Sequence, residues 1–289
     1  MMNEMNYNLI GVPDKSYSEK YIHRYIDGVM EWDIYDQAKH DRVNILIEGD
    51  AGSGKTISVQ SYASARGMRY FNVSNNNSTE PSELFGQWIP TADGKYRWQD
   101  GAVTQLVRNG GVLLLNEIRF LPERVSTVLF SLLDYRREIQ LMGNGGEVVK
   151  AHPDLLIVAD MNYVNYRGSR ELNPAFNDRF GIKLEFPYDK AIEKRLIKYD
   201  SLLTLADQLR TQYDKEEISN PISTRGLVDF VNNATRFGLD FAISSFVNGF
   251  SKEERGGVRL ACETHKENIA NDMGISITFN SDSFRAERI

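Results

Sequence analysis

Residues 49 to 56 read Gly-Asp-Ala-Gly-Ser-Gly-Lys-Thr. Gly49, Gly54, Lys55 and Thr56 hold the full spacing of a phosphate-binding loop, with Asp50, Ala51, Gly52 and Ser53 as the turn between them. The glycines let backbone N–H groups point inward toward phosphate oxygens. The helix expected to begin here adds its positive dipole end. Lys55 offers a point charge to the β- and γ-phosphates, and the Thr56 hydroxyl is a Mg²⁺ ligand. Four such positions coincide by accident in roughly one chain in a hundred of this length. A glycine-rich turn followed by a surface lysine is the bland alternative. The spacing implies ATP and Mg²⁺ as ligands.

A second cluster lies at Val112-Leu-Leu-Leu115-Asn116-Glu117. Four apolar residues followed by two acidic ones form a Walker B strand. There the first acid helps hold Mg²⁺ and the second polarises the attacking water. The first position here is Asn116, whose amide oxygen accepts hydrogen bonds but carries no negative charge. Glu117 is the candidate catalytic carboxylate. On this reading, if metal placement limits hydrolysis, an aspartate at 116 should raise turnover or lower the Mg²⁺ needed.

Elements that could position these groups follow from patterning. Val43–Ile47, Tyr70–Val73, Gly111–Leu115, Leu155–Ala159 and Ile182–Phe186 read as strands, mostly as short buried runs. Helices are expected over Ser18–Lys39 and Thr56–Arg66. Another is expected to open at Pro122 in its first turn and to carry the stripe Val125, Val128, Leu129, Leu132 and Leu133. The polar stretch 74–101, with Trp88 and Trp98, is too long for a structureless loop and predicts an inserted helix or hairpin. Gly143–Gly146 signals a hairpin. From 188 to about 265 only helical periods occur, with Ser223 as an N-cap. The fold class is α/β: a phosphate-loop core with a mostly parallel sheet over 1–187, then a helical lid and tail over 188–289.

The 289 residues are 41% hydrophobic and 26% charged, with net charge -6 and a pI of about 5.4, which argues against a nucleic-acid partner. The lone Cys262 excludes an internal disulfide and a cysteine-built zinc site, and is expected to be packed. The four histidines, His23, His40, His152 and His265, lack ligand spacing. With no leader pattern at the N-terminus and no long apolar run, a cytoplasmic location is expected.

Residues 101–119, Leu132–Glu138, 157–180 and Ile222–Arg225 together resemble the MoxR branch of the AAA+ ATPases, in the dynein-related group with the CbbQ, NorQ and GvpN types. The resemblance runs from about Ile10 to Phe250. It implies that Asn162 is sensor 1, Arg179 an arginine finger acting on a neighbouring subunit's γ-phosphate, and Arg225 sensor 2. Bland alternatives stand beside these: a turn residue for Asn162, a salt bridge with Asp178 for Arg179, a solvated side chain for Arg225. Arg167 or Arg170 could be a second trans-acting arginine. Trp88 and Trp98 fall where the family carries inserts facing the pore or a partner, unless they pack the insert onto the core. The family implies a homo-oligomeric, hexameric-ring ATPase that remodels a protein client, often one with a von Willebrand factor A domain. Asn116 departs from the family's aspartate, which would permit a nucleotide-gated assembly scaffold with little turnover. A DNA-directed motor subunit is a third alternative, against which the acidic balance and the lack of a recognisable DNA-binding module count.

Overall fold

The computed structural model describes residues 10–74, 80–163 and 172–275. Arg167 and Arg170 lie outside the described residues. The segment expected as one helix over Ser18–Lys39 is instead broken by a hairpin. After helix α1 (Lys15–Glu19) come strands β1 (Tyr25–Ile26) and β2 (Val29–Met30), then helix α2 (Glu31–Asp41). Asp27 and Gly28 between the strands both take left-handed backbone, φ 49 and 85. A two-residue Asp-Gly turn of this kind matches the twist of paired strands, so it overrides the helical content around it.

The remaining elements of the first part follow in order. They are β3 (Ile45–Gly49), α3 (Lys55–Ala65), β4 (Tyr70–Ser74), α4 (Pro81–Phe85), β5 (Gly86–Pro90) and β6 (Tyr96–Asp100). Then come α5 (Ala102–Asn109), β7 (Gly111–Asn116), α6 (Glu123–Leu133), β8 (Glu138–Leu141) and β9 (Glu147–Lys150). Last are β10 (Leu155–Asn162), α7 (Pro174–Asn177) and β11 (Ile182–Phe186). The central sheet has the order β11-β3-β10-β7-β4, and each neighbouring pair is parallel. The inner strands β3, β10 and β7 are buried on both faces, which is why their sequences run hydrophobic, whereas the edge strand β11 alternates with the exposed Lys183 and Glu185. One face, with Leu46, Leu113, Leu115, Ile157 and Ala159, packs with α5 and α6 residues such as Leu106 and Leu129. The other, with Ile45, Ile47, Val112, Leu114, Leu156 and Val158, packs with Val59, Tyr62 and Ala63 of α3.

In α6, Val125, Leu129, Leu132 and Leu133 are at most 3% exposed, each contributing roughly 1.5–3 kcal/mol through burial. Pro122 stands at the N-cap with ψ 142, one residue before the helix rather than within its first turn. The insert contains both expected forms, α4 and the β5–β6 hairpin. Trp88 and Trp98 are cross-strand partners with rings edge-on at 6.0 Å. Trp88 donates its indole N–H to the Gly143 carbonyl at 2.8 Å, which ties the hairpin to the turn between β8 and β9.

Contacts divide the chain into two compact units: residues up to 49 with 54–186, and 50–53 with 187–289. The second unit contains α8 (Lys190–Leu196), α9 (Asp200–Asp214), α10 (Thr224–Phe237), α11 (Leu239–Asn248) and α12 (Arg255–Met273). It has its own core, including Leu205, Leu209, Leu227, Phe230, Ile243 and the buried Cys262. Ser223 caps α10 by accepting the Gly226 N–H at 3.0 Å. Glu193, almost fully buried, takes a two-pronged bond from Arg210 at 2.7 and 2.8 Å and the Thr224 hydroxyl at 2.5 Å. The satisfied lone pairs offset the cost of burying the charge.

Candidate functional site

Side chains on alternate positions of a strand share a face. Along β10 the face turned to α3 carries Leu156 and Val158, so Asp160 and Asn162 continue it at the strand's carboxyl end. Along β7 the same face carries Val112 and Leu114, and Asn116 follows. Ala159 pairs with Leu115 in register, which sets Asp160 and Asn116 side by side. Asn162 pairs with Gly49 of β3. Polar groups thus replace the apolar stripe where α3 begins, at the end of a parallel sheet where such folds hold their ligands.

Gly54, at the N-cap of α3, has φ 101, a conformation that glycine adopts without a Cβ clash. Lys55 is only 6% exposed. Its ammonium donates to the Gly49 carbonyl at 3.0 Å and to Asn162 Oδ1 at 2.8 Å. The Asn162 amide N–H in turn reaches Glu117 Oε1 at 2.5 Å. Lys55, Asn162 and Glu117 form one continuous chain of hydrogen bonds.

A second group centres on Asp160, which is 1% exposed. The Thr56 hydroxyl donates to its Oδ2 at 3.2 Å, and the Glu117 backbone N–H to its Oδ1 at 2.8 Å. Asn116, with its amide nitrogen turned toward Asp160 in the orientation that satisfies both groups, donates at 2.8 and 3.0 Å. Burial pushes the Asp160 carboxyl up to about 6, against the lowering by the Glu117 N–H, the Lys55 charge and the Thr56 hydroxyl. The Thr56 hydroxyl and the Asp160 carboxylate offer oxygens, which suit a hard cation such as Mg²⁺. Among the described residues no cluster of three or more His, Cys, Asp or Glu side chains forms a metal cage. Mg²⁺ at nucleotide sites is commonly held by one or two carboxylates together with phosphate oxygens, so the residues fit that ion.

Glu117 follows β7 with φ 54 and ψ 53, a left-handed conformation that costs a non-glycine residue roughly 1–2 kcal/mol. Its N–H bond to Asp160 helps hold it there. Arg119, with a side chain 4% exposed, donates to Glu48 Oε1 at 2.9 Å and to the Asn162 carbonyl. It ties the end of β10 to Glu48 of β3.

Sequence reasoning missed Asp160 and Arg119. Asp160 lies two positions before Asn162, and strand alternation alone would have placed the two side chains on one face. Arg119 carries no comparable signal, because its role depends on the turn at Glu117.

Lys55, Thr56, Asn116, Glu117 and Asn162 are brought together. Arg179 does not join them. Its guanidinium covers the Phe130 ring at 4.5 Å and donates to the carbonyls of Phe130 and Ala175. Its backbone carbonyl accepts from Asn44 Nδ2 at 2.8 Å. Among the described contacts it forms no salt bridge with Asp178. Arg225 belongs to the second unit, as do Asp50, Ala51, Gly52 and Ser53. A Cβ built on Gly52 would stand 2.9 Å from Ser223 Cβ and 3.3 Å from Arg225 Cβ. The middle of the loop therefore runs against the start of α10, beside Arg225.

The AAA domain, dynein-related subfamily, matches residues 44–180. The denitrification regulatory protein NirQ of Pseudomonas aeruginosa is 30% identical over 210 residues, covering 68% of this chain and 78% of NirQ. Protein NorQ of Paracoccus denitrificans is 27% identical over 217 residues, covering 72% of this chain and 78% of NorQ. Midasin of Dictyostelium discoideum is 35% identical over 153 residues, which is 53% of this chain but 2% of Midasin. No helix of the described residues is long and apolar enough to cross a membrane.

Proposed function

The chain belongs to the AAA family, dynein-related subfamily, in the MoxR branch with the CbbQ and NorQ types, and on that footing we propose that it is a Mg²⁺-dependent ATPase whose ring-forming subunits remodel or activate a protein client. The observation that carries the reading is the hydrogen-bonded chain from Lys55 through Asn162 to Glu117. It joins a phosphate-binding cation, a polar positioning group and a carboxylate within reach of one another.

In this reading the backbone of Gly49 to Thr56 cradles the β- and γ-phosphates and Lys55 neutralises them. Glu117 accepts a proton from, or orients, the attacking water, and Asn162 fixes the Glu117 carboxylate and that water at the γ-phosphate. Arg225 reaches the γ-phosphate from its own subunit, and Arg179 from the neighbouring one, which requires its guanidinium to leave the Phe130 ring. Thr56, with the polar end of β7 that includes Asn116, would hold Mg²⁺, which when bound draws charge from the phosphate oxygens. By resemblance the ring is hexameric and the client carries a von Willebrand factor A domain.

The experiment pairs two variants. Lys55→Ala should remove ATP binding, read by calorimetry, while circular dichroism stays that of the parent. Glu117→Gln should keep ATP affinity, lose turnover, and retain the client in a pull-down with ATP. Parent-like ATP affinity in folded Lys55→Ala would defeat the loop assignment. Parent-like turnover in Glu117→Gln would remove Glu117 from the chemistry.

A further inference from the structure

We propose that the carboxylate which the Walker B position lacks is supplied by the next strand: Asp160 is the acidic group that serves Mg²⁺ beside Thr56, and Asn116 positions it. The inference rests on the nucleotide-site reading above and assigns a role to a residue outside its motifs.

Three observations converge. The first is placement. Ala159 and Leu115 are paired in parallel register, so the next residue on each strand, Asp160 and Asn116, shares one end and one face of the sheet. A carboxylate on β10 therefore reaches the region that a carboxylate at the end of β7 would reach. The second is company. Phosphate-loop enzymes hold the metal between the loop's Ser or Thr hydroxyl and an acidic strand end. Here the Thr56 hydroxyl is bonded to Asp160 Oδ2 at 3.2 Å. The third is the cost of the arrangement. Asp160 is 1% exposed, and a buried carboxylate must be paired or hydrogen-bonded to persist. Its partners, the Thr56 hydroxyl, the Glu117 N–H and the Asn116 amide, are neutral donors. Lys55 lies close enough to lower its proton affinity, yet the Lys55 ammonium bonds Gly49 and Asn162. A cation beside Thr56 would match that charge.

The arrangement also explains why an amide suits position 116. An aspartate there would face Asp160 across hydrogen-bonding distance, whereas an amide N–H donates to it. The charge thus stands at the end of β10 and the amide at the end of β7.

A purely structural Asp160, one that only ties α3, β7 and the Glu117 turn together, predicts something different. The two roles separate by binding, without reference to turnover. The affinity of a fluorescent ATP analogue is measured with Mg²⁺ and with EDTA, and Mn²⁺ binding to the nucleotide-loaded protein is followed by electron paramagnetic resonance. Asp160→Asn should keep the EDTA affinity of the parent and weaken Mn²⁺ binding at least about tenfold, the lower end of what losing a supporting group of a metal site costs. The exchanged variant Asn116→Asp/Asp160→Asn returns one carboxylate to the same place and should recover the metal affinity. Asp160→Asn with the parent's Mn²⁺ affinity overturns the proposal, and so does a folded exchanged variant that fails to recover it. If Asp160→Asn does not fold, the exchanged variant decides alone. A parent that binds no nucleotide under either condition defeats the ATPase reading itself, a result distinct from both.

Discussion

Placing an aspartate at position 116 should destabilise the protein in the absence of metal, although the sequence alone suggests it would repair the site. The Asn116 amide nitrogen stands 2.8 and 3.0 Å from the two oxygens of Asp160. Asn116→Asp therefore sets two carboxylates with charge centres about 4 Å apart. At an effective dielectric of about 20 their repulsion is about 4 kcal/mol. A proton shared between them relieves part of it, as in carboxylate dyads, and Asn116 is only half-buried, so its replacement can swing toward water. The expected loss is about 2 to 3 kcal/mol, read by urea denaturation at pH 8 with EDTA present. Added Mg²⁺ and ATP should return much of it, since a ligand bound only by the folded state stabilises by mass action. An Asn116→Asp variant as stable as the parent in EDTA would show that the carboxylate of Asp160 does not face position 116, and the geometry argued above would fall with it.

Two further outcomes test separate parts of the molecule. Gly49→Ala should destabilise the fold as well as weaken nucleotide binding, because a Cβ there would stand 2.2 Å from the Phe186 carbonyl oxygen. The expected loss is at least about 2 kcal/mol in thermal or urea unfolding, and a parent-like midpoint would contradict the close approach of β3 to β11. Arg179→Ala should lower turnover by about 10³-fold or more if it acts as a finger across a subunit boundary. Mixing it with Lys55→Ala subunits should restore part of the activity; no rescue in proven mixed rings, or an unchanged rate in Arg179→Ala alone, would remove that role.

The inner strands were legible because they are buried on both faces: the run Leu155–Ala159 leaves no polar residue to disguise it and falls within β10, whereas the expected Val43–Ile47 starts two residues ahead of β3, which begins at Ile45. The phosphate loop was legible because its geometry demands particular residues at fixed spacing. The N-terminal hairpin was missed because flanking residues of helical character outweighed a two-residue signal at Asp27-Gly28. Asp160 was missed for a different reason. Motif reading looks for an acid at one position along one strand, while the site is built across strands, where register decides which side chains meet. Arg179 shows the same limit, since a sequence offers Asp178 as its neighbour but cannot reveal Phe130, 49 residues away along the chain.

The order of the sheet also governs when the site can exist during synthesis. β3, which leads into the phosphate loop, lies between β10 and β11, and its last residue pairs with Asn162 and Phe186. Neither partner has been made when β3 leaves the ribosome. At about 5–20 residues per second, the wait from Gly49 to Phe186 is on the order of 10 s. Until β10 is made this apolar strand has both edges unpaired, one edge stays open until β11 follows, and pairings between segments so far apart form slowly even afterwards. A nascent chain of this protein is therefore most vulnerable to aggregation before residue 186 emerges, and truncations ending short of β11 should be recovered as insoluble material.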